Sequence, residues 1–237
     1  YGSKSCGGDL REVFRRSCNT PFARIAVQLG GERFVQGAND FGLNEAPPFD
    51  LPSPAASFVS APGESFDDQL PVLAQRGFGA ESVQLTPLQL AMVAATIANG
   101  GSEMAPYVVA RTADHNGGTV TTTKPKVWKL VMTKTVADTM VDLMIGVVKG
   151  PNGTAQGRFS LPNGIQVAAK TGTAQLNPKG QQQRSHAWIT AFAPAKSPQV
   201  VVAVMLKGVN AVISAGTGGR LAGPIANQLL NYAILHP

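Results

Sequence analysis

Residues 165–175 read Ile165-Gln-Val-Ala-Ala-Lys170-Thr171-Gly172-Thr173-Ala174-Gln175, a stretch predicted to form a β-strand with polar groups near its end. Glycine inside a strand is usually unfavourable, and it marks either a bulge or a place where another backbone comes close. A lysine flanked by two threonine hydroxyls beside such a gap forms a pocket for a carboxylate. The alternative is an edge strand with a glycine bulge and a lysine whose ammonium extends to solvent.

Two more strands are predicted after this one, His186–Ala193 and Gln199–Lys207. The last is apolar on both faces, which predicts a central position in its sheet, and the short connections favour antiparallel neighbours. Glu45–Pro71 lacks periodicity and is interpreted as a long irregular surface segment. Predicted helices span Asp9–Arg16, Phe22–Leu29, Thr86–Asn99, Thr135–Lys149 and Gly223–Leu235. The fold class is therefore mixed α and β (α+β), an antiparallel sheet covered by helices.

The helix Thr86–Asn99 is apolar nearly all round, which predicts that it is buried in the core. Thr86 is suited to cap its first turn, and Gln89 completes a capping box. In the two later helices, Val136 and Ile225 are among the residues expected to face inward.

Composition excludes several classes of protein. A chain of 237 residues is long enough for one domain with a full core, and no apolar run approaches the roughly 20 residues that span a bilayer. The net charge is +6, but the basic residues are scattered. Their densest cluster, Arg11, Arg15 and Arg16 around Glu12, has no aromatic residues interleaved and indicates a solvated helix face rather than a nucleic-acid site.

The two cysteines, Cys6 and Cys18, do not form a Cys-x-x-Cys motif and have no histidine nearby, so a zinc site is not expected. A disulfide between them and two free thiols both remain open. No metal and no cofactor are predicted.

Ser17-Cys18-Asn19 is predicted to lie on a turn that joins two helices, with the Lys-Thr-Gly strand far downstream. A Ser-x-Asn triplet is a weak signal alone, because serine and asparagine also suit a helix cap or an Asx turn.

The two motifs in this order resemble the active-site set of the penicillin-binding proteins and serine β-lactamases, which use Ser-x-x-Lys, then Ser-x-Asn, then Lys-Thr-Gly. Val83–Ala91, Ala98–Gly101 and His186–Pro194 are similar to the corresponding stretches of class B penicillin-binding proteins. The resemblance covers nearly the whole chain and is closest to the actinobacterial penicillin-binding protein A type. It implies the penicillin-binding protein and β-lactamase fold.

One motif of the family is absent: no serine in the chain has lysine three residues later. We therefore expect the nucleophilic serine and its lysine to lie upstream of Tyr1. On this interpretation, residues 1–237 are the C-terminal part of one transpeptidase domain, incomplete on its N-terminal side, and cannot be acylated alone.

The resemblance implies a serine-type D-Ala-D-Ala transpeptidase that cross-links stem peptides in cell-wall synthesis and division and is acylated by β-lactams. It places Ser17 near the leaving amine, while Asn19 holds a substrate amide and the missing lysine. Lys170 supplies positive potential and bonds Ser17. Cys18, if joined to Cys6, would stiffen this turn.

On the strand, the resemblance implies that the Thr171 and Thr173 hydroxyls bind the terminal carboxylate of the substrate. The Thr173 backbone N–H, with that of the missing serine, would form the oxyanion hole. Gly172 would let the substrate backbone pair along the strand.

The expected partners are peptidoglycan stem peptides, β-lactam antibiotics and division or elongation proteins, with no nucleic acid. The expected location is the extracytoplasmic face of the cell membrane, anchored by an N-terminal helix outside this chain. One alternative is a β-lactamase or D,D-carboxypeptidase of the same fold, although neither Glu45 nor Glu64 is placed as a deacylating base. The other is a catalytically inactive relative that acts as a scaffold.

Overall fold

The computed structural model describes residues 6–52, 54–177 and 184–236. Its helices are α1 Leu10–Arg16, α2 Asn19–Leu29, α3 Gly31–Asp40, α4 Leu70–Arg76, α5 Pro87–Ala98, α6 Lys134–Lys149, α7 Ala211–Ser214 and α8 Gly223–Leu235. Its strands are β1 Ser102–Met104, β2 Arg111–Ala113, β3 Thr119–Thr122, β4 Val127–Leu130, β5 Ala168–Gln175, β6 Ser185–Ala193 and β7 Val200–Leu206. A 3₁₀ turn spans Pro162–Gly164, and a π-helical turn, Gly218–Ala222, leads directly into α8.

The main sheet has the order β5-β6-β7, and both pairs are antiparallel. Helix α6 packs against β5, while α5 and α8 pack against β6 and β7. This arrangement confirms the predicted antiparallel sheet covered by helices. The core is built largely of alanine, valine and isoleucine on the sheet, including Ala168, Ala169, Ile189 and Ala191, which are fully buried.

The predicted central position of the third strand is wrong. Among the described strands, β7 pairs only with β6, and β6 is the central one. Its run of valines is explained by the helices instead, because α5 and α8 both pack against β7. A strand covered by helices is apolar throughout wherever it lies in the sheet.

Helix α5 is buried as predicted, and Thr86 Oγ1 accepts the Gln89 N–H at 3.1 Å. The second half of the expected capping box is absent. The Gln89 side chain is 1% exposed, and its Nε2 donates to the carbonyls of Gly42 and Glu45, at 2.8 and 3.0 Å. Its Oε1 accepts the Ser57 N–H at 2.5 Å. Gln89 therefore ties the irregular segment to the core helix.

Two residues expected to face inward do not. Val136 on α6 is 50% exposed and Ile225 on α8 is 38% exposed. The buried positions next to them are the small residues Ala137 and Ala226. Small side chains let the helix backbones approach their neighbours closely, so the buried face of each helix is centred one residue further along.

The segment predicted as irregular holds no helix or named strand over its described residues before Leu70, where α4 begins two residues short of the predicted end. The predicted surface position is wrong for Val59 and Phe66, which are 5% and 2% exposed. Arg76 of α4 holds the segment in place. The Arg76 guanidinium binds Glu64 at 2.7 Å, Glu81 at 2.9 Å and the Val59 carbonyl at 3.1 Å. Within the described ranges, no helix is both long enough and apolar enough to cross a bilayer.

Candidate active site

Ser17 lies at the sharp turn between α1 and α2. It adopts the left-handed conformation (φ 55°, ψ 51°), and its N–H donates to the Phe14 carbonyl at 3.1 Å. Left-handed residues other than glycine are uncommon and usually sit at turns. Cys18 follows as a buried residue, and Asn19 begins α2 with its side chain exposed. The turn therefore presents Ser17 and Asn19 on either side of a buried anchor.

That anchor is a disulfide. Cys18 is joined to Cys6, with the two Cα atoms 5.5 Å apart, so the structure selects the bonded form of the two alternatives left open by the sequence. The bond connects the middle residue of the Ser-x-Asn triplet to the chain before α1. It restrains the turn that carries Ser17.

Lys170 on β5 meets this turn across 153 residues of sequence. Its Nζ donates to Ser17 Oγ at 2.7 Å and to the Thr171 carbonyl at 2.8 Å. The ring of Phe14 lies 5.7 Å from the same nitrogen and offers its negative face to the ammonium. Burial lowers the pKa of Lys170 to about 8, because the site removes water from the charged form.

The two threonines of β5 have different surroundings. Thr171 is 8% exposed, and its Oγ1 donates to Thr154 Oγ1 at 2.6 Å. Thr173 is partly exposed, and its Oγ1 accepts a long hydrogen bond of 3.4 Å from the Gly218 N–H. Of the two hydroxyls, that of Thr173 is therefore the more accessible to a ligand.

Gly172 is not a bulge, because β5 and β6 pair in unbroken register from Ala168 to Gln175. The other predicted cause, a close backbone approach, is present. A Cβ on Gly218 would lie 2.6 Å from the Gly172 carbonyl oxygen and 1.9 Å from that of Trp188. Gly218, in the turn before the last helix, therefore packs its backbone against the Lys-Thr-Gly strand.

Sequence reasoning missed Thr154 and Phe14, both of which contact the site. Neither belongs to a motif, and Phe14 lies within the predicted helix Asp9–Arg16 with nothing in the sequence to link it to Lys170. The glycine run 216–219 was visible in the sequence, but nothing in its spacing showed that it would meet β5. These contacts arise from packing between segments distant in the chain.

The arrangement is suited to proton transfer and to the binding of an anion. A serine hydroxyl lies next to an amine with a pKa of about 8, which can exchange a proton with it near neutral pH. Among the described strands, β5 bonds only to β6, so its other edge offers backbone groups to an extended peptide. Within the described ranges, no three His, Cys, Asp or Glu side chains could hold a metal ion together.

Comparisons with known proteins show the family of this chain. Residues 1–231 match the family described as the penicillin binding protein transpeptidase domain. The chain is 36% identical over 238 residues to peptidoglycan D,D-transpeptidase PbpA of Mycobacterium tuberculosis strain H37Rv, which covers 99% of this chain and 46% of PbpA.

Two solved structures show the same likeness. Penicillin-binding protein A from M. tuberculosis in its penicillin G acyl-enzyme complex has a TM-score of 0.85 and 34% identity, covering 99% of this chain and 51% of that one. The imipenem acyl-enzyme complex of penicillin-binding protein A from M. tuberculosis has a TM-score of 0.83 and 35% identity, covering 99% and 50%. The chain therefore spans about half the length of these relatives.

Proposed function

This chain belongs to the penicillin-binding protein transpeptidase family, of class B, and from that membership we propose that it supplies two active-site motifs of a peptidoglycan D,D-transpeptidase. The observation that carries the proposal is the 2.7 Å hydrogen bond from Lys170 Nζ to Ser17 Oγ. It unites the Ser-x-Asn turn and the Lys-Thr-Gly strand as one site, as a shared proton relay requires.

The nucleophile belongs, on this proposal, to a part of the protein outside residues 1–237. No serine of this chain has lysine three positions later, and Ser17 already occupies the Ser-x-Asn position. The chain spans about half of PbpA, which leaves room for a segment carrying Ser-x-x-Lys. Residues 1–237 are then the C-terminal part of one transpeptidase domain.

The reaction begins when the nucleophilic serine attacks the carbonyl carbon between the last two residues of a D-Ala-D-Ala stem peptide. Its proton passes to the paired lysine as the tetrahedral intermediate forms. The C–N bond then breaks, and the departing D-alanine amine takes a proton through Ser17. Lys170 restores and orients that hydroxyl, and an acyl-enzyme remains.

A second stem peptide completes the reaction. Its amine attacks the acyl carbon, gives up a proton through the same relay, and releases the serine. A peptide bond forms in place of the one that was broken, so no cofactor is needed. On this proposal Asn19 holds an amide of the substrate, and its exposure beside Ser17 supports that role.

Binding of the donor peptide falls to β5. The Thr173 hydroxyl and the positive charge of Lys170 attract its terminal carboxylate, while the buried Thr171 hydroxyl donates to Thr154 and supports the strand. The Thr173 backbone N–H, paired with that of the nucleophilic serine, stabilises the oxyanion. Gly172, which has no side chain on the strand, leaves room for the peptide backbone.

The proposed location is the extracytoplasmic face of the membrane, with an anchor outside this chain. The Cys6–Cys18 disulfide supports this, because such bonds persist outside the reducing cytoplasm. Its substrates would be stem peptides of the wall, its inhibitors β-lactams, and its protein partners those of division or elongation.

The test is intact-mass spectrometry of the full-length protein before and after incubation with penicillin G. One long-lived adduct of the mass of penicillin supports the transpeptidase. Rapid turnover of penicillin without an adduct indicates a β-lactamase instead, and a full-length protein that remains unmodified indicates an inactive relative. Release of D-alanine in the presence of an acceptor amine separates transpeptidation from carboxypeptidation with water.

A further inference from the structure

The loop between α6 and β5 contacts α1, β5 and the π-helical turn that leads into α8. We propose that Thr154 on this loop is a positioning residue, which holds the Ser-x-Asn turn and the Lys-Thr-Gly strand at the separation that lets Lys170 bond Ser17. The inference rests on the proposed function and extends it to a residue outside the family's three motifs.

The backbone of the loop is hydrogen-bonded to α1, the helix that Ser17 caps. The Thr154 N–H donates to the Arg15 carbonyl at 3.0 Å, and Arg15 Nε donates to the Pro151 carbonyl at 3.0 Å. The next residue, Ala155, is fully buried and donates its N–H to the Val147 carbonyl of α6 at 3.1 Å. The loop therefore links the last turn of α1 to a core helix.

The side chain of Thr154 is fastened to the other half of the site. Its Oγ1 accepts the hydrogen bond from Thr171 Oγ1 at 2.6 Å, and Thr171 is buried. The carbonyl of Thr171 accepts a bond from Lys170 Nζ. One residue thus contacts both the strand that carries Lys170 and, through its backbone, the helix that carries Ser17.

The π-helical turn Gly218–Ala222 packs against the Thr154–Thr171 pair. A Cβ on Gly219 would lie 1.9 Å from the Thr154 carbonyl oxygen and 3.4 Å from Thr171 Cγ2. The backbone of the π-helical turn is therefore pressed against the Thr154–Thr171 pair. That packing leaves the pair little freedom to move apart.

The consequence is geometric. The Lys170–Ser17 bond joins two segments that are far apart in the sequence. A proton relay loses efficiency when its atoms shift by a fraction of an ångström. Loss of the Thr154 hydroxyl leaves that of Thr171 without its partner and removes the side-chain hydrogen bond between the loop and β5. Displacements of about 1 Å cost up to about 100-fold in rate.

The experiment compares Thr154→Val, which removes the hydroxyl at nearly constant volume, with Thr154→Ser, which keeps it. The matched control is Thr96→Val on α5, which removes a hydroxyl bonded to the Met92 carbonyl; Thr96 is more deeply buried than Thr154, so its loss is the stricter control for stability. The readout is the second-order rate of acylation of the full-length protein by a fluorescent penicillin, with the melting temperature measured alongside.

We expect Thr154→Val to slow acylation about 10- to 100-fold, Thr154→Ser to recover most of the wild-type rate, and Thr96→Val to leave it unchanged. Equal rates for Thr154→Val and wild type would overturn the inference. The inference would also be overturned if Thr154→Val and Thr154→Ser lowered the acylation rate equally. The same holds if Thr96→Val lowered the rate as much as Thr154→Val while the two variants had the same melting temperature.

A second readout does not use penicillin. The pKa of Lys170, followed by the ¹³Cε chemical shift, should rise towards 10.5 in Thr154→Val, because a loosened site admits water to the ammonium. An unchanged pKa rejects the positioning role. If wild-type protein shows no acylation, the proposed function fails while this measurement still decides the role of Thr154.

Discussion

Lys170 Nζ lies 2.7 Å from Ser17 Oγ, although 153 positions separate the two residues in the chain. The ammonium is also held by the Thr171 carbonyl and faces the ring of Phe14. This contact brings a positive charge to the hydroxyl of Ser17.

Lys170→Ala in the full-length protein should slow acylation by penicillin at least about 100-fold, since both the positive potential and the hydrogen bond to Ser17 disappear. Lys196→Ala is the control: Lys196 is a surface residue in an ion pair with Asp142. The measurement is the rate of labelling by a fluorescent penicillin. A Lys170→Ala protein that labels at the wild-type rate would remove Lys170 from the mechanism.

The same residue predicts a pH dependence. Burial lowers the pKa of Lys170 to about 8, so its positive charge is lost as the pH rises through that value. Acylation should therefore fall above about pH 8, approaching tenfold per pH unit. Lys170→Arg, which keeps its charge, should flatten this decline even if it is slower overall. A wild-type rate that stays constant to about pH 9.5 is the opposing result.

The disulfide should stabilise the protein. Replacing Cys6 and Cys18 together by alanine is expected to cost roughly 2–4 kcal/mol, because the bond closes a short loop in the unfolded chain. Chemical denaturation of the full-length protein measures this. The untreated protein should take up no alkylating reagent at these cysteines without reductant; two alkylated thiols in folded protein would show that the bond is absent.

Glu103 should make stability depend on pH. It is 1% exposed, its Oε2 has no hydrogen-bond partner, and Lys129 opposite it on β4 is paired with Glu45. Burial raises the pKa of Glu103 to about 7, with the charge of Lys129 opposing and that of Glu45 reinforcing the shift. The folded state thus holds the proton more tightly than the unfolded state does.

Because the pKa of Glu103 is higher in the folded than in the unfolded state, its contribution to stability is present below about pH 4.5 and is lost as the pH rises to about 7. The loss is roughly 2–3 kcal/mol. Glu103→Gln, which cannot ionise, should abolish it, and exposed Glu32→Gln should not. Melting temperatures at about pH 5 and pH 8 test this; an identical pH dependence in Glu103→Gln and wild type is the result against it.

Arg76 of α4, which holds the irregular segment, should be among the residues that tolerate replacement least. Its side chain is 6% exposed and binds Glu64 and Glu81. Arg76→Ala removes the guanidinium from two carboxylates that keep only their bonds to Ala61 and Ser82, and it should cost about 2–4 kcal/mol in the free energy of unfolding. Replacing the exposed Arg33 by alanine should cost little. A loss of stability in Arg76→Ala that is as small as that in Arg33→Ala would show that the cluster around Arg76 adds no stability.

Much of this protein was determined by its sequence alone. Local periodicity and capping residues were enough for α5 and for the three strands of the main sheet, because helix and strand formation depend on neighbours in the chain. The order of Ser17-x-Asn19 and Lys170-Thr-Gly, taken with the resemblance to class B penicillin-binding proteins, indicated the family and the pairing of these motifs.

Tertiary structure decided the rest. The Gln89 side chain, which the sequence predicts to cap α5, instead bonds the backbone of Gly42 and Ser57. Strand β7 is covered by helices and lies beside β6 rather than at the centre of the sheet. Thr154 entered the site only because packing brought it to Thr171. Contacts between distant segments depend on which surfaces meet in the folded core, and no periodicity or short motif in the sequence records that choice.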